Sequence, residues 1–211
     1  MYTPAAFAAT DTAGLHDLIE AHGFGTLVSA EADGPVATHL PFLVERARGS
    51  RGTLVCHMAR ANPQWRALGG TTCLAIFLGP HGYISPGWYA SAPAVPTWNY
   101  AAVHAYGHAR VIEDESALRE IVAKLAARHE AGRPQPWLLD RTPEEFVRGM
   151  LRAIVGIEIE IERLEGKHKL GQNRPAADRR GVLAALSASD RPGDRELANY
   201  TARHTPIGGQ P

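Results

Sequence analysis

Cysteine is scarce in this chain: two in 211 residues, Cys56 and Cys73, both inside apolar strand-like runs. They read as buried free thiols of a reducing compartment and exclude a disulfide framework. Net charge is missing too, since 22 basic residues balance 22 acidic ones. That removes a global electrostatic footprint for nucleic acid and leaves only a local basic patch open. No apolar run is long enough to span a bilayer. The start, Met1-Tyr2-Thr3-Pro4, lacks the basic-then-apolar pattern of a signal peptide. The expectation is a soluble cytoplasmic protein with no membrane partner. GxGxxG, Walker, HExxH, CxxC and GxSxG patterns are all absent, which excludes the commonest phosphate loops, zinc sites and serine elbows. There is no internal repeat.

What is present is strand pattern, with 45% hydrophobic residues to fill a core. Asp11 or Thr12 caps a helix to about His22, with Leu15, Leu18 and Ile19 as its stripe and Gly23 as its stop. Gly25 to Ala30 and Val36 to Val44 read as strands around the hairpin signal Asp33-Gly34. Val36, Thr38 and Leu40 share one face of the second strand, and Ala37 and His39 the other. Pro41 places an edge or a bulge there. Strands follow at Thr53 to Met58, Thr71 to Leu78 and Trp98 to Glu113. Gly79 to Pro96 reads as an ordered aromatic-rich loop. Asp114 caps a helix to about Ala131, and Thr142-Pro143-Glu144-Glu145 starts another to about Ile154 as a capping box. Ile157, Ile159 and Ile161 alternate with Glu158, Glu160 and Glu162, the latter a solvated face. Two helices close the chain, at 176–188 and 194–204. Antiparallel signals without βαβ alternation imply an α+β, mainly β fold: a closed or partly closed barrel with helices outside.

The stretch His57 to Trp65, H-M-A-R-A-N-P-Q-W, hands a strand over to a helix start. Asn62 is a good N-cap and Pro63 a good first helical residue. Such an end suits an anion, and Arg60 adds a forked cationic donor beside it. Taken alone, the stretch favours a plain helix cap next to a solvated arginine. Ten histidines raise the question of a metal. His104 and His108, four apart in a strand, are separated by about 13 Å, and no metal site is expected. DNA contact has two supports, the Arg46–Arg51 turn and the tail. In the last two helices a helix-turn-helix would use Arg179, Arg180, Arg191 and Arg195 on phosphates, against a simpler docked helical pair with a solvated basic face.

Eight collinear segments carry a resemblance. They are Y-T-P at 2–4, F-G-T-L-V at 24–28, A-T-H-L-P at 37–41, and H-M-A-R-A-N-P-Q-W at 57–65. Then come Y-I-S-P-G-W-Y at 83–89, V-P-T-W-N-Y at 95–100, V-H-A-Y-G at 103–107 and K-L-G-Q-N-R at 169–174. Together they resemble the PaiB family, described as FMN-binding negative transcriptional regulators. Gly87 and Gly171 depart from it, each standing where serine is usual.

The resemblance implies an FMN-binding split β-barrel with peripheral helices and a C-terminal helical extension. The split-barrel domain would span 1–166, and the basic segment and helical extension 167–211. It also implies a homodimer with FMN in grooves shared by two subunits. Thr38, His39 and Leu40 would run along the isoalloxazine edge, with His57 and Met58 among the cofactor residues. Arg60 and the Asn62 helix end would take the phosphate. Trp98 and Asn99 would cover the flavin from the partner. Lys169, Gln172, Asn173 and Arg174 would close the site, Lys169 and Arg174 as further phosphate ligands. Alternative readings are a flavin-dependent oxidoreductase, a haem-binding split barrel with an axial histidine, and a direct DNA repressor.

Overall fold

The computed structural model of the protein describes residues 1–207. Its elements, in chain order, are β1 (Ala8–Ala9), α1 (Thr12–Ala21), β2 (Phe24–Glu31), β3 (Gly34–Pro41), β4 (Leu43–Glu45) and β5 (Thr53–Ala59). There follow β6 (Thr72–Ile84), β7 (Thr97–Ile112), α2 (Glu115–Glu130), α3 (Glu144–Arg152), β8 (Ile154–Lys169), α4 (Ala176–Ala188) and α5 (Pro192–His204). The chain divides into two compact units. A larger one gathers Thr12–Phe77 and His104–Leu164; a smaller one gathers Met1–Asp11, Leu78–Val103 and the chain from Glu165 onward. The boundary expected at residue 166 lies inside β8. The C-terminal segment groups with the N-terminal arm and with the Leu78–Val103 segment.

The sheet runs in the order β3-β2-β6-β7-β8-β5-β4, with β1 paired to β8. The β2–β3, β2–β6, β4–β5 and β5–β8 pairs are antiparallel. Its two end strands, β3 and β4, are separated in sequence by Phe42 alone. One residue can join the two ends of a seven-strand path only if the sheet curls back on itself, the geometry of a split barrel. Pro41 ends the ladder opposite Phe24, on an edge strand, where a missing N–H costs no bond. The hairpin turn is Ala32-Asp33, with Gly34 as the first paired residue opposite Glu31.

In the larger unit, α2 and α3 cover one side of β5 and β7. Leu118, Ile121 and Leu125 of α2 pack with Val147 and Leu151 of α3 against Val55 and Ile112. Burying each such side chain stabilises the fold by about 1.5–3 kcal/mol. On β8, Ile157, Ile159 and Ile161 are fully buried, as their alternation requires. Glu158 is not part of a solvated row. Its half-buried carboxylate accepts from Arg48 and Arg110, and the Arg48 guanidinium holds it below the usual carboxylate range. At α3 the cap position is Pro143 without a side-chain bond, so the Thr142 capping box does not form.

In the smaller unit, β6 continues through Gly79-Pro80 to Ile84, where composition had implied a loop. The in–out alternation slips at Gly79 and Pro80, both buried, and resumes at His81. A short 3₁₀ turn, Pro86–Trp88, follows. The side chain of Asp178 in α4 is fully buried and pins the next loop. It accepts from the N–H groups of Ala90 and Ser91 at 3.0 and 2.9 Å and from the Ser91 hydroxyl at 2.6 Å. The Ser91 hydroxyl bond, aided by the two N–H groups, lowers the carboxyl from its ordinary value of 3.8. A depressed carboxyl stabilises the fold above its unfolded value and loses that contribution as pH falls through the folded one. The wild type is therefore expected to lose its stability advantage over Asp178→Asn as pH drops below about 4. Parallel thermal melts check this; a constant gap in Tm would contradict it.

Candidate functional site

The His57–Trp65 stretch folds into a local hydrogen-bond hub of the larger unit. The helix is a five-residue 3₁₀ turn, Pro63–Ala67, and carries no macrodipole to speak of. Asn62 caps it as expected, accepting from the Gln64 N–H at 3.0 Å. Its amide also donates to the Thr38 hydroxyl at 2.9 Å, and that hydroxyl donates to Gln64 Oε1. Gln64 is buried and donates to Ser29 Oγ at 3.0 Å and to the Val36 carbonyl at 3.1 Å. Thr38 and Asn62 thus clip the turn onto the β2–β3 hairpin. Gln64 is the hub, and sequence reading passed over it although it lies inside the motif.

Arg60 is engaged as well. Its guanidinium donates to the carbonyls of Arg152 and Ile154 at 3.0 and 3.1 Å and pairs with Glu113. These bonds tie the end of β5 to the α3–β8 junction. Arg60 is thus not the solvated arginine that the stretch alone suggested; its charge is compensated within the fold. Arg60→Ala is expected to cost about 1–2 kcal/mol, mostly from the two bonds to backbone carbonyls, one of them part-buried, because the half-exposed ion pair contributes little. In thermal melts that is a Tm drop of about 2–8 °C.

Of the other candidates in this unit, His39 is exposed, bonded to Thr26 Oγ1 at 3.0 Å and stacked on Phe24. Leu40 and Met58 are core residues. β3 is the end strand of the sheet, so the far side of its backbone lies outside the ladder. Cys56 and Cys73 are buried and free; burial pushes the Cys73 thiol up to about 11 and Cys56 higher still, so both are inert. No cluster of three metal-ligating side chains occurs among the described residues. None of their helices is long and apolar enough to cross a membrane.

The late candidates meet in the smaller unit. A cavity of about 220 Å³ is lined by Lys169, Arg174, Asn99, Asn173, Thr97 and Tyr89, among others. Lys169 ends β8, and the turn after it is set by Gly171 at φ 81°, where a serine would be strained. Gln172 is spent on this turn: Oε1 accepts from the Leu170 N–H and Nε2 donates to the His168 carbonyl. The other departure, Gly87, donates its N–H to Ser85 Oγ, which caps the Pro86–Trp88 turn. Arg174 stacks over Tyr89 at 4.6 Å. Lys169 donates to Thr97 Oγ1 and the Trp98 carbonyl. Burial first, then the charges of Lys167 and Arg174, lower its pKa. Cations crowd here, and no carboxylate lines the cavity. Trp98 is exposed beside His81 and Tyr83, forming an aromatic row.

A family model described as "Putative FMN-binding domain" matches residues 1–163. The "Protease synthase and sporulation protein PAI 2" of Bacillus subtilis is 35% identical over 199 residues, 94% of this chain and 95% of its own. The chain belongs to the PaiB family. An uncharacterized protein of Emericella nidulans is 32% identical, over 88% of this chain and 90% of its own. Among solved structures, the flavocytochrome Anf3 from Azotobacter vinelandii has a TM-score of 0.58 at 16% identity, covering 77% of this chain and 69% of its own. At that identity the likeness shows the fold, a split barrel.

The cofactor of the PaiB family's domain is FMN. The cavity of the smaller unit fits its phosphate: two cations, two carboxamides and two hydroxyls, with no acid among its lining side chains. The matched model ends at residue 163, so both cations come from the segment beyond it. The similarity to the Bacillus subtilis relative extends over 94% of this chain, well beyond the length of the matched model.

Proposed function

We propose that this PaiB-family chain is a flavin-linked regulator of cytoplasmic location that works as a homodimer and holds FMN by its phosphate in the Lys169–Arg174 cavity. The observation that carries the reading is the cavity itself, where Lys169 and Arg174 meet with no carboxylate in the lining; burial first, then the charges of Lys167 and Arg174, disfavours the Lys169 charge, and a dianionic phosphate offsets both. Lys169 and Arg174 take the phosphate oxygens, and Asn99 and Asn173 orient them. When bound, FMN supplies reversible redox chemistry. The exposed aromatic row of His81, Tyr83 and Trp98 supports burial against a second copy.

Direct DNA binding has weaker support. Of the four arginines a helix-turn-helix would need, Arg179 donates to the Thr205 and Pro206 carbonyls and Arg195 to the Ser189 carbonyl. Both are committed within the helical pair. Purified protein mixed with FMN and passed through a desalting column is expected to emerge with flavin absorption bands. A colourless protein would contradict the reading.

A further inference from the structure

The larger unit holds a second cavity, of about 480 Å³, against β5, α2 and α3. Of its lining, His57 alone was among the residues expected at the cofactor. Its lining includes His57, Val122, Trp137, Phe146, Met150 and Leu151. Val122 and Leu151 are continuous with the α2–α3 hydrophobic cluster. Trp137, Phe146 and Met150 are 47%, 61% and 52% exposed. Such large apolar side chains beside a concave space are unusual for a surface with no occupant. Phe146 and Met150 are four apart on α3 and so stand on one helix face.

The volume lies within the range of small-molecule sites, and so does the chemistry: apolar and aromatic walls with few polar groups. No charged side chain lines the cavity, which excludes an ionised ligand. The polar groups are His57 and Thr142. His57 Nδ1 is shut off from solvent and has no hydrogen-bond partner among the described residues. Burial lowers the imidazole pKa, so the ring stays neutral. An atom closed to solvent does not face an open cavity, so the imidazole meets the space by its other edge.

We propose that this cavity binds a small neutral aromatic molecule carrying one hydrogen-bonding group, packed among Trp137, Phe146 and Met150 and hydrogen-bonded to the His57 imidazole. The Met150 thioether is suited to an aromatic face or edge. The site lies in the other unit from the Lys169–Arg174 cavity and shares no residue with it. It does not rest on the FMN reading.

The test is calorimetric titration of the full chain with 1-naphthol, a neutral two-ring molecule with one hydroxyl, before and after saturation with FMN. One naphthol per chain is expected under both conditions. Ala153→Trp, at an exposed position on the cavity rim, is expected to weaken binding at least about tenfold by filling the space. Should that variant fail to fold, Ala59→Trp, also exposed, fills the cavity from β5. His57→Phe keeps a ring in place, removes the polar group, and is expected to weaken binding about three- to tenfold. Absence of saturable binding overturns the proposal, as does unchanged affinity in a folded rim variant or in His57→Phe. Displacement of naphthol by FMN also overturns it, since the cavity would then belong to the cofactor.

Discussion

Replacing Lys169 and Arg174 together by methionine is expected to weaken FMN binding about 100-fold or more. Each charge-assisted hydrogen bond to a phosphate oxygen contributes about 1.5–3 kcal/mol, and two of them exceed the 2.7 kcal/mol that corresponds to two decades in Kd. Methionine keeps the apolar stem and volume, so the loss reports the charges. The fold should not suffer. Removing a partly buried charge and its repulsion by Lys167 and Arg174 offsets the loss of the Lys169 bonds to Thr97 Oγ1 and the Trp98 carbonyl and of the Arg174–Tyr89 stacking. The expected pattern is a lost affinity with a Tm within a few degrees of wild type, roughly 1 kcal/mol for a chain of this size. Wild-type affinity should also fall with added salt, and the variant's should be nearly indifferent to it. A variant that keeps its affinity would move the phosphate elsewhere, with Arg60 the next residue to test.

Gly107→Ala is expected to be the most damaging single substitution for the fold. A Cβ at Gly107 would stand 2.0 Å from the Glu160 carbonyl oxygen of the neighbouring strand β8. That is more than 1 Å inside ordinary contact, and the obstacle is backbone, so no side chain can swing away. The strands must part or the ladder must shift. Overpacking of this kind costs about 3 kcal/mol or more, a Tm loss of about 6–12 °C at the least. Gly193→Ala is the control: no atom lies within 4 Å of its Cβ. It sits in the first turn of α5, where alanine is expected to be neutral or slightly stabilising. Equal melting temperatures for the two variants would contradict this account of the β7–β8 approach.

Legibility in the sequence followed the range of the forces involved. The Ile157–Ile161 alternation named its strand because burial of one face is a local pattern. The terminal helices at 176–188 and 192–204 were found nearly to the residue for the same reason. β6 was cut short at Leu78 because Gly79 and Pro80 are turn formers on their own, and only pairing within the sheet overrides that preference. At the site, residue types were legible and their partners were not. Arg60 was read as free because Glu113, Arg152 and Ile154 lie 53 to 94 positions away in sequence. Gln64 went unnoticed because a buried carboxamide announces itself only through the carbonyls it meets. Lys169, Asn173 and Arg174 were flagged by resemblance to a family. The structure places all three in the lining of one cavity without a carboxylate.

The central claim is that the chain holds FMN through its phosphate. The most direct measurement compares flavin retained after desalting, from equal additions of FMN and riboflavin, by the absorption of the protein fraction. Riboflavin has the same ring and lacks the phosphate. The account predicts a coloured protein with FMN and a nearly colourless one with riboflavin, a difference of about 100-fold in Kd. Equal retention of both flavins, or of neither, would contradict it.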